Sequence, residues 1–400
     1  MPTAFIVRVA RTAAGKRNGA LSHYHPAVLG AKVVDALVDR AAFDPSVVDD
    51  VIWGCVSQVG AQSANLGRNV VLSSNLPISV PGTTVDRQCG SSQQAIHFAA
   101  QAVMSGTQDV VIAGGCEVMS SLPIGANIGD GALGQPNSDV VQAKFGPSGF
   151  YSQFTGAELV ASKYGVTRDE MDAFAASSHA KAAAATADGI FADEIIAVDG
   201  RTKEGEHMSL TADEGIRKGT TAEKLSGLDT LVALGVCPPP ADCAEGRITA
   251  GNASQVSDGS AAVLICNEEG LKKLGVEPLA IVRSLALAGD DPVTMLDAPI
   301  PATRKALEKA GITLDDVDLY EVNEAFAVVP LAWQKALGAD LAKLNCNGGA
   351  CALGHPLGGT GAKLMTTLCS ELARRPNVRY GLQAICEGGG TANAMVVERC

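Results

Sequence analysis

No stretch of this 400-residue chain approaches the ~18–20 consecutive apolar residues of a membrane-spanning helix, so no membrane span is expected. There is no Cys-x-x-Cys: the closest pairs are Cys237/Cys243 and Cys346/Cys351, and the 11 cysteines are an odd number. A disulfide framework or zinc ribbon is thereby excluded, no metal site is expected, and a reducing, cytoplasmic setting is favoured. Neither a Gly-x-Ser-x-Gly elbow nor a phosphate-cradling Gly-x-x-x-x-Gly-Lys-Ser/Thr occurs, which removes the main support for serine-hydrolase and P-loop chemistry. Positive charge is scarce. With 31 Lys and Arg against 43 Asp and Glu, the net charge of −12 argues against nucleic acid as a standing partner, because phosphate binding is driven by Lys/Arg neutralisation. Aromatics make up only 4%, which speaks against an all-β sandwich.

The ends are equally sparse in signals. Met1 to Val7 has no basic region ahead of its apolar residues, unlike a secretory leader. Arg8, Arg11, Lys16 and Arg17 precede the first acid, Asp35, as in organelle presequences, but Phe5 to Val9 reads better as a first strand. Glu398-Arg399-Cys400 is not a peroxisomal signal.

What is present is apolar: 46% hydrophobic residues and 44 glycines, enough for a large core and, at this length, for more than one α/β domain. Residues 26–42 carry a helical stripe through Leu29, Val33 and Leu37, while Val51–Gly54, Val110–Gly114 and Val263–Ile265 read as buried strands. A faint internal repeat runs through the chain. Cys89 opens a helix (91–104), a strand (110–113) and then Gly114-Gly115-Cys116-Glu117; His355 precedes a helix (361–373), a strand (382–385) and Cys386-Glu387-Gly388-Gly389. Two copies of one unit facing each other would bring matching ends to a shared cleft. Between the halves, 120–247 is rich in Gly, Pro, Ser and charge, with an Ala-rich helix at 167–187. Its Gly129-Asp130-Gly131-Ala132-Leu133-Gly134 matches the dinucleotide pattern, but no strand precedes it and no helix follows.

Cysteine chemistry remains. Cys89 sits at a strand-to-helix junction, where the free N–H groups of a helix start favour thiolate over thiol; a buried structural cysteine fits equally well. His355 differs from the other histidines, which read as surface-like (His23, His25, His179, His207) or as packing (His97). It lies in a Gly-rich turn fixed by Pro356 and titrates near neutrality, although a satisfied turn histidine is the alternative. Cys386 ends a strand and opens into bare N–H groups, a possible oxyanion site. Asn323, after Val317–Val322, fits a helix cap or a site residue.

The blocks Val85-Asp86-Arg87-Gln88-Cys89-Gly90-Ser91-Ser92, Asn323-Glu324-Ala325-Phe326, Gly354-His355-Pro356-Leu357-Gly358 and Cys386-Glu387-Gly388-Gly389-Gly390 stand in the order and spacing of the thiolase family. Arg11-Thr12, Gly114 to Ser120, Ala157-Glu158, Thr249 to Ser254 and Asp258 to Ala262 extend the resemblance over nearly the whole chain. It implies a duplicated α/β/α/β/α layered core, with residues 1–119 and 248–272 as one half, 273–400 as the other, and 120–247 as a lid that binds coenzyme A. It implies Cys89 as acyl-carrying nucleophile activated by His355, and Cys386 as acid/base. His355 and a water on Asn323 would stabilise the enolate, and the N–H groups of Cys89 and Gly388 the oxyanion. Ser254 and Arg217 match coenzyme A contacts. The partners implied are acyl-CoA and CoA as co-substrates, with no permanently bound cofactor, in a homodimer or homotetramer. The activity is reversible thiolytic cleavage of 3-ketoacyl-CoA; a dedicated acetoacetyl-CoA-forming enzyme, a decarboxylating ketoacyl synthase and a non-catalytic acyl-CoA-binding protein are the alternatives. Four departures stand out: Asp86 for a usual Asn, Ser92 for Gly, Thr360 for Ser, and Glu387, a carboxylate beside the acid/base that is expected to point away from it.

Overall fold

In the computed structural model, residues 2–129, 131, 133–146 and 152–400 are described. The core strands are β1 (Phe5–Thr12), β2 (Asp50–Gly54), β3 (Gly82–Val85), β4 (Val110–Val118), β5 (Ser257–Cys266), β6 (Ala280–Gly289), β7 (Leu319–Val322), β8 (Tyr380–Glu387) and β9 (Thr391–Arg399). They run across the molecule in the order β7-β8-β9-β6-β1-β5-β4-β2-β3. β4 and β5 are buried along their whole length, which explains their unbroken apolar character and why they extend beyond the short runs visible in the sequence. β6 instead alternates buried with more exposed residues, the period-two signature of a strand covered on one face.

The strand order shows the duplication. β2 and β4 are parallel, then β5 and β1 follow antiparallel; β7 and β8 are parallel, then β9 and β6 follow antiparallel. The two halves meet where β1 pairs with β6, Phe5 opposite Ile281. In the first half β4 and β5 are separated by residues 119–256, whereas their counterparts β8 and β9 are joined by a turn of 388–390. The long segment is therefore an insertion at a hairpin position.

Seven helices matter for the site: α1 (Pro26–Ala41), α2 (Ser91–Ser105), α3 (Gln153–Tyr164), α4 (Arg168–Ala187), α5 (Pro299–Ala310), α6 (Val328–Leu337) and α7 (Thr360–Arg374). α1 packs outside the first half-sheet and α5 and α6 outside the second. α2 and α7 lie between them, sharing a core of Ile6, Ile52, Ile96, Met365 and Met395, so five layers form. Their first turns touch. Ser92 Oγ accepts the Ala362 N–H at 2.9 Å, and a side chain on Gly361 would strike the backbone of Gln93, so glycine permits the approach. The start of each central helix is thus brought to one place. No described helix is long and apolar enough to cross a membrane.

α4 opens with a reciprocal Thr167/Glu170 capping box. The glycine pattern at 129–134 forms turns where described, with Asp130 and Ala132 outside the described residues. Asn323 is not a helix cap. The helix begins five residues later, at Val328, because the Asn323 N–H continues the sheet by donating to Ala384 O (3.0 Å).

Candidate active site

Cys89 stands in a tight turn between β3 and α2. Gln88 adopts φ 48°, a left-handed conformation costly for a residue with a side chain. Three local bonds hold it: Asp86 Oδ1 accepts the Gln88 N–H (2.7 Å), Ser91 Oγ accepts the Arg87 N–H (2.9 Å), and the Ser91 hydroxyl donates to Gln88 O (2.6 Å). A carboxylate or amide oxygen serves the first bond alike, so Asp86 for Asn is a tolerated departure. The second, Ser92 for Gly, is absorbed by its bond to α7.

Cys89 and Cys386 line one cavity of about 350 Å³, together with Gly388, Gln153, Met295 and Ile124. His355 and Ser254 line a smaller space of about 100 Å³ that shares Ile124, Gln153, Ala325 and Leu357 with the first. A ligand filling both touches both thiols and the imidazole. Gly388 comes from the β8–β9 turn, where the first half carries its insertion. Ser254 is fixed by its N–H to Ala325 O (2.9 Å). Arg217 lines neither space; it is exposed, and its N–H donates to His179 Nδ1 (3.1 Å). His179, surface-like in sequence, is buried at 4% exposure because α4 packs its Ala-rich face inward.

The imidazole of His355 has a defined proton arrangement. Thr360 Oγ1 gives its only proton to Pro356 O (2.9 Å), so at the 2.6 Å contact with His355 Nδ1 it must accept. The proton is therefore on Nδ1, and Nε2 offers its lone pair, with Asn323 Nδ2 at 3.5 Å. A threonine hydroxyl does this as well as a serine's, which accounts for the third departure. Burial, reinforced by Lys363, lowers the His355 pKa to about 3, so the resting ring is neutral. Asn323 is fully buried and its Oδ1 has no protein partner.

The helix-start argument for a Cys89 thiolate does not hold in the resting state. Burial, then the nearby Glu387 carboxyl, pushes the thiol up to about 12; loss of solvation outweighs the few N–H groups of the turn. Cys386 is also held well above its ordinary value, by burial and then by Cys89 and Glu387. The resting site is a pair of thiols beside a neutral imidazole. Glu387, expected to point away from Cys386, is among the residues lining the same cavity; it is 0% exposed, and its carboxyl packs under Gly90.

Two buried carboxyls that sequence reasoning did not single out position the loops. Glu117 accepts from Val56 N (3.0 Å), Ser57 N (3.0 Å), Gln62 Nε2 (2.6 Å) and Gly358 N (2.9 Å), tying the loop after β2 to the turn after His355. Glu324 accepts from Ser178 Oγ (2.7 Å), Asn345 Nδ2 (2.8 Å) and Cys351 N (3.0 Å), tying α4 to the turn before it. Their only sequence signal was an acid within an otherwise apolar or glycine-rich block.

Residues 4–269 match the family description "Thiolase, N-terminal domain" and residues 276–399 "Thiolase, C-terminal domain". The chain is 48% identical to the steroid 3-ketoacyl-CoA thiolase FadA6 of Mycobacterium tuberculosis, over 100% of this chain and 95% of that one. It is 42% identical to a 3-ketoacyl-CoA thiolase of Bacillus subtilis, covering 100% of both, and 41% identical to an acetyl-CoA acetyltransferase of Allochromatium vinosum, covering 98% of both. The crystal structure of human mitochondrial 3-ketoacyl-CoA thiolase superposes with a TM-score of 0.87 at 35% identity, covering 100% of this chain and 99% of that one. Matched along both halves and carrying the duplicated layered core, this chain belongs to the thiolase family of CoA-dependent acyltransferases.

Proposed function

We propose that this thiolase works chiefly in the degradative direction, cleaving 3-ketoacyl-CoA with bulky or medium-length acyl groups through an acyl-Cys89 intermediate. The observation that carries the mechanism is that Cys89 and Cys386 open onto one cavity that adjoins His355. Cys89 attacks the 3-keto carbon as its proton passes to His355 Nε2, and the N–H groups of Cys89 and Gly388 receive the developing oxyanion. Breakage of the C–C bond leaves the acetyl-CoA carbanion, its enolate oxygen held by His355 and a water on Asn323, and Cys386 supplies the proton. CoA then takes the acyl group from Cys89, its thiol proton passing to Cys386 and the proton on His355 returning to the released Cys89 sulfur. High resting thiol pKa values suit this scheme: Cys386 stays protonated until a carbanion appears, and Cys89 becomes anionic only in concert with proton transfer.

Substrate breadth is supported by the cavity walls. Gln153 stands where a crowding Met is common in acetoacetyl-CoA enzymes, and Ile128, Leu296 and Pro136 add apolar lining to the cavity shared with Cys89. The identity to a relative named for steroid substrates points the same way. The segment 120–247 is the lid over coenzyme A in this reading, with Ser254 and Arg217 at its contacts and no permanently bound cofactor. The eleven unpaired cysteines suit a reducing cytoplasm. β3 ends the sheet path right beside the nucleophile turn, which suits pairing of two copies. Incubation with acetyl-CoA followed by mass spectrometry tests the core of the scheme. The wild type acquires one acetyl group on Cys89, and Cys89→Ala acquires none and loses nearly all turnover; full turnover in that variant would falsify it.

A further inference from the structure

Beneath the nucleophile turn lies a polar cluster with a proton missing from its bookkeeping. Glu387 Oε2 accepts the Thr391 hydroxyl at 2.7 Å, but Glu387 Oε1 has no partner. Asn393 Nδ2 donates to Gly90 O at 3.1 Å, and Asn393 Oδ1 likewise has no partner. Both residues are 0% exposed. The two oxygens share the space over Gly90: a Cβ there would fall on Glu387 Oε1 and lie 2.9 Å from Asn393 Oδ1. Turning the amide over offers no escape, because Oδ1 would then face Gly90 O, another acceptor. The Asn393 N–H also serves the Glu387 carboxyl, but an ionised carboxylate here would still leave the buried Asn393 Oδ1 without a donor and beside a second acceptor. One proton on Oε1 supplies the donor.

We infer that Glu387 is a neutral carboxylic acid whose proton bridges to Asn393 Oδ1, and that it is a positioning residue which holds the Cys89 turn while keeping negative charge away from the nucleophile. The inference rests on Cys89 as nucleophile. The charged and titratable groups that face Glu387 come from three elements: Asp86, Arg87 and Cys89 in the β3–α2 turn, Cys386 on β8, and the loop against Gly390 with Asp290 and Asp291, which bond to backbone N–H groups of their own loop. β9 contributes no charge, but the Thr391 hydroxyl and the Asn393 N–H both bond the carboxyl and favour its ionised form. Burial outweighs the Thr391 hydrogen bond, the attraction of Arg87 and the Asn393 N–H, and holds the Glu387 pKa up at about 8. Loss of the proton above that pH places a charge where it acts on both thiols.

The test is the alkylation of Cys89 by iodoacetamide in the free enzyme, read by mass spectrometry from about pH 6 to about pH 10, in wild type and Glu387→Gln. Glutamine keeps a donor for Asn393 and cannot ionise. The ratio of the variant's rate to the wild type's is expected to be flat below about pH 7 and to rise above about pH 8, by about three- to tenfold for each unit that the charge adds to the Cys89 pKa. A ratio constant over the whole range overturns the inference. Wild-type difference infrared spectra between about pH 6.5 and about pH 9 need no variant: a buried protonated-carboxyl band lost with rising pH is expected, and its absence at the lower pH overturns the inference as well. Neither measurement uses acyl-CoA, so failure of the thiolysis scheme, read from Cys89→Ala turnover, is a separate outcome.

Discussion

Thr360→Val removes one oxygen from the wall behind His355 and nearly nothing else. Thr360 is 1% exposed, so valine fills the same volume, but His355 Nδ1 loses the acceptor it holds at 2.6 Å and Pro356 O loses its donor at 2.9 Å. The imidazole then has two choices. It keeps its proton on Nδ1, unpaired in an apolar wall, at a cost of about 1–3 kcal/mol, or moves it to Nε2 and ceases to offer a lone pair to the Cys89 thiol. Either route raises the barrier to acylation by about 1–3 kcal/mol, a fall in kcat/KM of about 5- to 150-fold. The assay is steady-state thiolysis, with acyl-CoA products resolved by chromatography. KM for CoA should move little, because Thr360 lies behind the histidine, and Thr360→Ser should restore most of the rate while Thr360→Val stays folded. A Thr360→Val enzyme within about twofold of wild type, or a serine variant as impaired as the valine one, refutes the tautomer argument.

Other outcomes follow from the same geometry. Cys386→Ser should still acquire an acetyl group at Cys89 yet fail in C–C bond formation and cleavage; loss of both reactions in a folded variant means that the two thiols do not divide the work as described. Across a chain-length series, kcat/KM for thiolysis should climb over the first added carbons, each methylene contributing about 0.8 kcal/mol at most, and a sharp maximum at the four-carbon substrate contradicts the open cavity. The raised Glu387 pKa has a stability consequence with a definite sign. Its contribution is fully present below the ordinary carboxyl value of 4.5 and is lost as pH rises through about 8, so denaturant melts should show Glu387→Gln gaining on the wild type over that window. An unfolding free-energy difference independent of pH denies the shift.

The amino-acid sequence by itself determined the local frame. Strands buried on both faces declared themselves as unbroken apolar runs, α1 by its stripe and α4 by its composition, and the repeated helix–strand unit by the similar settings of Cys89 and His355. Those signals are legible because backbone preference and side-chain burial are written over a few neighbouring residues. Three of the motif blocks held the two cavity thiols and the histidine for the same reason: each is a short turn with its own glycines. What the tertiary structure decided is electrostatic. A helix start argued for a Cys89 thiolate, yet loss of solvation in the cavity wall beside Val56, Met119 and Leu357, with the Glu387 carboxyl near, holds the partly buried Cys89 as a thiol. Asn323 looked like a cap and became a neighbour of His355, because β7 keeps pairing for one more residue. Glu117 meets Gly358 across 241 positions, and Asn393 meets Gly90 across 303. The protonation of a buried group depends on which donors and charges surround it in space, and for this protein those neighbours arrive from opposite ends of the chain.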